Sequence, residues 1–300
     1  MTKVTILGNG SWGQALAKMW VTNGLNVRIW YKGRNMLPCI EGSEVIINAV
    51  PSHATREVAK ILAPIYNENQ IIVNAAKGLE EDTYFTLTEV IASEVKTNNI
   101  AAMSGPSHAE EVEINIPTTN IIACESDELA NTLQKKLSTP TFRLYASKDV
   151  KGVQLAGALK NVIAICSGIS DGLKYGDNTR AALITRGAQE MIRLGTVLGG
   201  EAKTFLGLAG IGDVIVTATS KHSRNYNAGF LIGQGETVEA AVTKVSMVVE
   251  GIKATKVAYE LAQKHNLDCP IINEAYHVIY EGKLPKQAVE DLMTRSLKWE

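Results

Sequence analysis

Apolar and polar positions give the two halves of the chain different textures. In the first half, apolar runs of four to six residues alternate with stretches of helical period. Residues 4–7, 27–30, 44–50 (EVIINAV), 70–74 (QIIVN), 99–103 and 120–124 predict strands, since short apolar runs bounded by Gly, Pro or Asn suit strands covered on both faces. Residues 15–22, 56–62 and 87–95 carry helical spacing between them. This alternation predicts an α/β fold with a doubly wound parallel sheet, whose loops at the strands' C-terminal ends collect ligands.

After about residue 150 the strand signal fades. Residues 153–169, 181–198, 238–249, 254–264 and 271–280 predict helices, so a mostly α-helical second half is expected. No internal repeat or low-complexity linker separates the halves. The expected division is one domain over 1–150 and another over 151–300, with a short junction near 147–152.

Composition narrows the class. The chain has 300 residues, 45% hydrophobic and 20% charged, as ordinary globular proteins are and with length enough for two cores. Thirty Lys and Arg against 31 Asp and Glu leave no basic excess for neutralising nucleic-acid phosphates, so no nucleic-acid partner is expected. No wholly apolar run reaches the roughly 18 residues that predict a membrane span, and a strand-like run starts at Lys3 with no leader-like segment before it. Cys39, Cys124, Cys166 and Cys269 lie far apart without a C-x-x-C pair, which argues against zinc and disulfides and makes a reducing cytoplasm the simplest setting. The five histidines show no metal spacing, and no nucleophile-elbow serine is present.

The clearest chemical signal is Gly8-Asn9-Gly10-Ser11-Trp12-Gly13, a G-x-G-x-x-G that leaves a predicted strand and opens a predicted helix. That context makes a Rossmann-like dinucleotide site. Gly8 permits the tight turn, Gly10 lets backbone approach a pyrophosphate, and Gly13 lets helix and strand pack closely. The helix N-terminus then holds the anion. At the end of the second strand an NAD-binding chain tends to carry an acid for the ribose hydroxyls, whereas this one has Tyr31-Lys32-Gly33-Arg34. Lys32 and Arg34 suit a 2′-phosphate, so NADP(H) is favoured over NAD(H), although two solvated surface cations would look the same.

Further loops have the character of a site. Lys77 follows the fourth predicted strand, and Ser104-Gly105-Pro106-Ser107-His108-Ala109 follows the fifth. Lys160 stands in the apolar helical run 155–165 beside Asn161. A buried lysine is costly unless paired or deprotonated, and desolvation makes its amine a usable base; a snorkelling lysine is the other reading. Gly207 to Asp213 clusters glycines ahead of an acid, followed by Thr217 and by Ser223-Arg224-Asn225, where Arg224 could clamp a phosphate or carboxylate.

Taken in order, G-N-G-S-W-G, V-P-S-H, A-A-K-G-L-E, S-G-P-S-H-A, G-A-L-K-N-V-I-A-I, L-I-T-R-G, A-G-I-G-D, S-R-N and V-V-E-G run over nearly the whole chain. In this the chain closely resembles the bacterial-type NAD(P)-dependent glycerol-3-phosphate dehydrogenases. The resemblance implies interconversion of sn-glycerol 3-phosphate and dihydroxyacetone phosphate by hydride transfer, a step that supplies the backbone of membrane phospholipids. Carried over by motif, it implies Lys160 as the proton-transfer residue, oriented by Asp213. Ser11, Trp12, Ala109, Val248 and Glu250 would contact the dinucleotide, and Lys77, Gly105 and Ser107 would lie where nicotinamide meets substrate. Asp213, Ser223, Arg224 and Asn225 would frame the substrate, with Arg224 also near the cofactor and Asn161 and Thr217 as further candidates.

One departure from the family stands out. Residues 31–43 alone separate the second and third predicted strands, where the family has a longer segment, so the adenine side of the pocket should be more open. Competing readings are a 3-hydroxyacid dehydrogenase or ketopantoate reductase type of two-domain reductase, and a non-catalytic NADP-binding sensor. The apolar second half could also supply a homodimer face.

Overall fold

The computed structural model of the chain describes all residues except Met247, Lys298 and Glu300. Seven strands, β1 (Lys3–Leu7), β2 (Asn26–Trp30), β3 (Val45–Asn48), β4 (Ile71–Asn74), β5 (Ile100–Ser104), β6 (Thr118–Ala123) and β7 (Phe142–Ser147), form one sheet in the order β2-β1-β3-β4-β5-β6-β7. β1 to β5 are parallel, β6 pairs antiparallel with β5, and β7 is parallel to β6. The helices among them are α1 (Ser11–Thr22), α2 (Leu37–Ile40), α3 (Thr55–Leu62), α4 (Leu87–Val95), α5 (Ala109–Glu113) and α6 (Asp127–Leu137).

The sheet is doubly wound, as the alternation predicts, but it is not parallel throughout. Residues 105–117, with the five-residue α5, bring the chain back into the sheet from the end it left, and β6 runs antiparallel to β5. β7 escaped the sequence pattern because it is an edge strand with only Phe142 and Leu144 buried, so it has no continuous apolar run. Along β3 the pleat divides the core. Val45 and Ile47 join Leu16 and Trp20 of α1 and Leu133 of α6 on one face, while Ile46 joins Val58 of α3 and Ile91 of α4 on the other.

The second half contains α7 (Val150–Gly172), α8 (Asp177–Val197), α9 (Ala202–Phe205), a π-helical turn (Leu208–Gly212), α10 (Asp213–Thr219), α11 (Arg224–Gly233), α12 (Val238–Val245), α13 (Glu250–Lys264), α14 (Pro270–Tyr280) and α15 (Pro285–Met293). It is mostly helical, as its periodicity implies. Two compact units emerge: Met1–Gly157 with Gly199–Asp213, and Ala158–Leu198 with Val214–Glu300. The change falls inside α7, and the return of Gly199–Asp213 to the first unit has a visible cause. The buried carboxylate of Asp149 accepts from Gly152 N at 2.7 Å, Glu201 N at 2.8 Å and Thr204 Oγ1 at 2.6 Å, tying that segment to the start of α7.

Within the second unit, α7 and α11 touch backbone to backbone. A Cβ on Gly168 would lie 2.0 Å from Tyr226 O, and one on Gly229 would lie 2.1 Å from Ile165 O. This crossing fixes the start of α11 against α7. By length and hydropathy α7 could cross a membrane, but 94% of its apolar window is buried inside the protein, as in a core helix. The stretch Ala202–Thr219 also meets those two criteria and is 39% buried.

Candidate active site

The glycine loop joins β1 to α1. Gly8 has φ +119°, and a Cβ there would lie 2.8 Å from Ala49 O; one on Gly13 would lie 2.2 Å from Gly8 O. Both positions therefore exclude a side chain. A Cβ on Gly10 would meet nothing within 4 Å, so the backbone at Gly10 faces open space. α1 begins with no side-chain cap and no acid in its first turn, which leaves the N–H groups of Ser11, Trp12 and Gly13 without intrahelical acceptors. An uncapped helix start beside an open glycine fits a pyrophosphate. Trp12 donates its indole N–H to Ala75 O at 3.1 Å and so ties α1 to the loop after β4. Its ring packs, partly buried, against the core on that face of the sheet.

That loop carries Lys77. The buried Asn74 side chain shapes it, donating to Ala76 O at 3.0 Å and accepting from Asn48 Nδ2 at 2.9 Å. Lys77 Nζ donates to Gly105 O at 2.9 Å and to Asp213 Oδ2 at 2.5 Å. Ser107 Oγ donates to the same Gly105 oxygen at 3.0 Å. Asp213 is 1% exposed and stands in the first turn of α10, where a carboxylate also suits the helix dipole. The glycines before it serve packing: a Cβ on Gly210 would lie 1.9 Å from Phe205 O. The first unit thus gathers Lys77, Gly105, Ser107 and Asp213 into one cluster, with the half-buried Ala109 opening α5 just beyond.

The second unit gathers another set. Lys160 is 6% exposed within α7, and its Nζ donates to the buried Thr217 Oγ1 of α10 at 2.6 Å. Burial disposes of the snorkelling reading. One position along, Asn161 Oδ1 accepts from Asn225 Nδ2 at 2.9 Å, and Asn225 Oδ1 accepts from Gly251 N at 2.9 Å. This links the K-N, S-R-N and V-V-E-G motifs and explains the last glycine, where a Cβ would lie 2.8 Å from both Asn161 O and Asn225 Oδ1. Ser223 caps α11 by accepting from Tyr226 N at 3.1 Å, which orients Arg224 in the first turn. The Arg224 guanidinium has no ion-pair partner among the described residues, the condition a phosphate clamp requires. Glu250 begins α13, and Val248 is 39% exposed just before it.

Lys32 and Arg34 are both exposed beyond β2, and the structure reveals partners that their spacing did not. Lys32 pairs with Glu57 at 3.1 Å, and the Arg34 guanidinium lies 4.3 Å over the Tyr31 ring. The aromatic residue three before Arg34 was the available clue. Among the described residues no three His, Cys, Asp or Glu side chains come together as a metal site would need.

The chain matches two family models in succession. "NAD-dependent glycerol-3-phosphate dehydrogenase N-terminus" matches residues 3–41 and 32–130, and "NAD-dependent glycerol-3-phosphate dehydrogenase C-terminus" matches 149–290. A protein of Fusobacterium nucleatum named glycerol-3-phosphate dehydrogenase [NAD(P)+] is 45% identical over 331 aligned positions, covering all of this chain and 99% of the relative. One of the same name from Thermoanaerobacter is 44% identical, over 99% of this chain and 98% of the relative. The crystal structure of glycerol-3-phosphate dehydrogenase from Coxiella burnetii superposes with a TM-score of 0.91 at 36% identity, over 98% of this chain and 99% of that one.

Proposed function

Because this chain belongs to the NAD-dependent glycerol-3-phosphate dehydrogenase family, we propose that it interconverts dihydroxyacetone phosphate and sn-glycerol 3-phosphate with NAD(P)(H). The observation that carries this reading to the chain's own chemistry is Lys160, an amine buried in an apolar helix and held by Thr217. The glycine loop and the start of α1 would hold the pyrophosphate, with Ser11, Trp12, Ala109, Val248, Glu250 and Arg224 along the rest of the dinucleotide. When bound, the nicotinamide supplies or accepts the hydride.

As the ketone is reduced, negative charge develops on its oxygen. Lys160, as an ammonium, stabilises that charge and delivers the proton; neutral, it takes the proton back in the reverse direction. Asp213 holds Lys77 against the Gly105 carbonyl, and we assign to Asp213 the orientation of Lys160 as well. Arg224 grips the phosphate so that the reacting carbon is fixed at the far end of the substrate. Asn161 and Asn225 support that grip through their mutual hydrogen bond. We assign the pyrophosphate of the coenzyme to the first domain and the phosphate of the substrate to the helical one. The product is the backbone on which phospholipids are built, and a cytoplasmic location fits the four free cysteines. A homodimer joined through helical faces is compatible with this reading. Lys160→Ala tests it: turnover should nearly vanish while NADPH affinity measured by fluorescence titration stays within about threefold. Retained turnover would refute the assignment.

A further inference from the structure

Only residues 31–44 connect β2 to β3, and α2 is the sole helix of that connection. The alignment to the Fusobacterium relative spans 331 positions although this chain has 300 residues, so at least 31 of its positions have no counterpart here. The two pieces of the N-terminal family match meet at 32–41, inside that connection. β2 is accordingly an edge strand, paired with β1 alone. In a dinucleotide fold the group that meets the adenosine ribose stands just past β2. Here that place is a tight, hydrogen-bonded turn. Arg34 N donates to Tyr31 O at 3.2 Å, Gly33 has φ +97°, and the Trp30 indole donates to Arg34 O at 2.8 Å.

Its two cations differ in what occupies them. Arg34 rests its face on the Tyr31 ring and keeps its N–H edge for an acceptor. Lys32 is held by Glu57, whose carboxylate lies 3.1 Å away in the first turn of α3. The neighbouring Arg56 does not offset Glu57, because its guanidinium is already held by Glu80 at 2.6 Å and Glu94 at 2.5 Å. Those bonds also fix α3, so Glu57 is presented from a rigid element.

We propose that Glu57 sets the coenzyme preference of this chain by competing with the 2′-phosphate of NADP(H) for Lys32. The inference rests on the dinucleotide-binding reading above and assigns the discrimination to one ion pair. With NAD(H), which lacks the phosphate, the Lys32–Glu57 pair stays closed and affinity is indifferent to it. With NADP(H), the dianion must displace or share Lys32 against Glu57, so part of the gain from the added charge is lost. Both side chains are largely exposed, at 82% and 59%, so the pair is weak enough to open.

The test is equilibrium binding, read by quenching of tryptophan fluorescence and by calorimetry. NADPH, NADH, adenosine 2′,5′-bisphosphate and AMP are titrated into wild type, Glu57→Gln, Lys32→Ala and the double variant. Glu57→Gln should tighten NADPH and adenosine 2′,5′-bisphosphate about two- to fivefold and leave NADH and AMP unchanged. Lys32→Ala should weaken only the two 2′-phosphorylated ligands, and the double variant should lose the Glu57→Gln gain. The gain should also shrink as salt rises. Equal tightening of NADPH and NADH would overturn the proposal, as would no change in either or a gain that survives Lys32→Ala. Failure of every dinucleotide to bind would refute the dinucleotide-binding reading itself, whereas binding without discrimination sinks only the role of Glu57.

Discussion

Asp213→Asn removes one charge and almost no volume at the centre of the first unit's cluster. The carboxylate is 1% exposed and takes a 2.5 Å bond from Lys77, whose side chain is 20% exposed. A hydrogen bond between charged groups contributes about 1.5–3 kcal/mol, and breaking a buried pair by removing one partner costs about 3–5 kcal/mol. Asparagine keeps an acceptor oxygen, and Lys77 keeps its 2.9 Å bond to Gly105 O, so the lower range applies. A loss of about 2–3 kcal/mol expressed in the transition state corresponds to a fall in kcat of roughly 30- to 150-fold. Steady-state kinetics with dihydroxyacetone phosphate and NADPH reads that fall, and a coenzyme titration should find NADPH affinity preserved. A double-mutant cycle with Lys77→Met isolates the pair, and its coupling should be about 2 kcal/mol. If Asp213→Asn stays within threefold of wild type in kcat, or the cycle is additive, the pair does not position the catalytic groups.

Two other predictions concern the helical unit. Arg224→Ala should raise KM for dihydroxyacetone phosphate about 10- to 150-fold and leave the slow turnover of unphosphorylated dihydroxyacetone nearly unchanged; an equal loss on both substrates would contradict a phosphate clamp. The buried Glu190 accepts from Ile271 N at 2.9 Å and Ile272 N at 3.0 Å, yet burial outweighs those bonds and pushes its carboxyl up from 4.5 to about 7. The folded state thus holds this proton more tightly than the unfolded chain, so the associated stability is complete below about pH 4.5 and is lost as pH rises through about 7. The full loss is about 3 kcal/mol. Urea denaturation from pH 4.5 to 8 should show wild type losing stability relative to Glu190→Gln over that window, and a flat or rising difference would refute it.

The sequence carried much of this fold because the strands of the sheet centre are continuous apolar runs and the first helix follows its glycines directly. What it hid was decided by long-range contacts. Nothing around Asp149 announces that its carboxylate will bind Glu201 N and Thr204 Oγ1, and that contact returns residues 199–213 to the first unit. The same return brings Asp213 to Lys77, a pairing 136 positions apart that no local spacing encodes. The glycines of A-G-I-G-D read as a ligand loop, whereas Gly210 is required by the Phe205 backbone. Lys160 was legible for the opposite reason: one amine in an apolar helix conflicts with its surroundings, and such conflicts mark sites.

Reduction of a phosphorylated three-carbon ketone with a nicotinamide coenzyme is the reaction on which every role assigned above depends. It is tested most directly by mixing the purified protein with dihydroxyacetone phosphate and following NADPH and NADH oxidation by absorbance, with dihydroxyacetone in parallel. Oxidation should be rapid with the phosphate ester and slight with the free ketone. Absence of oxidation with either coenzyme, while NADPH demonstrably binds, would contradict the assigned reaction.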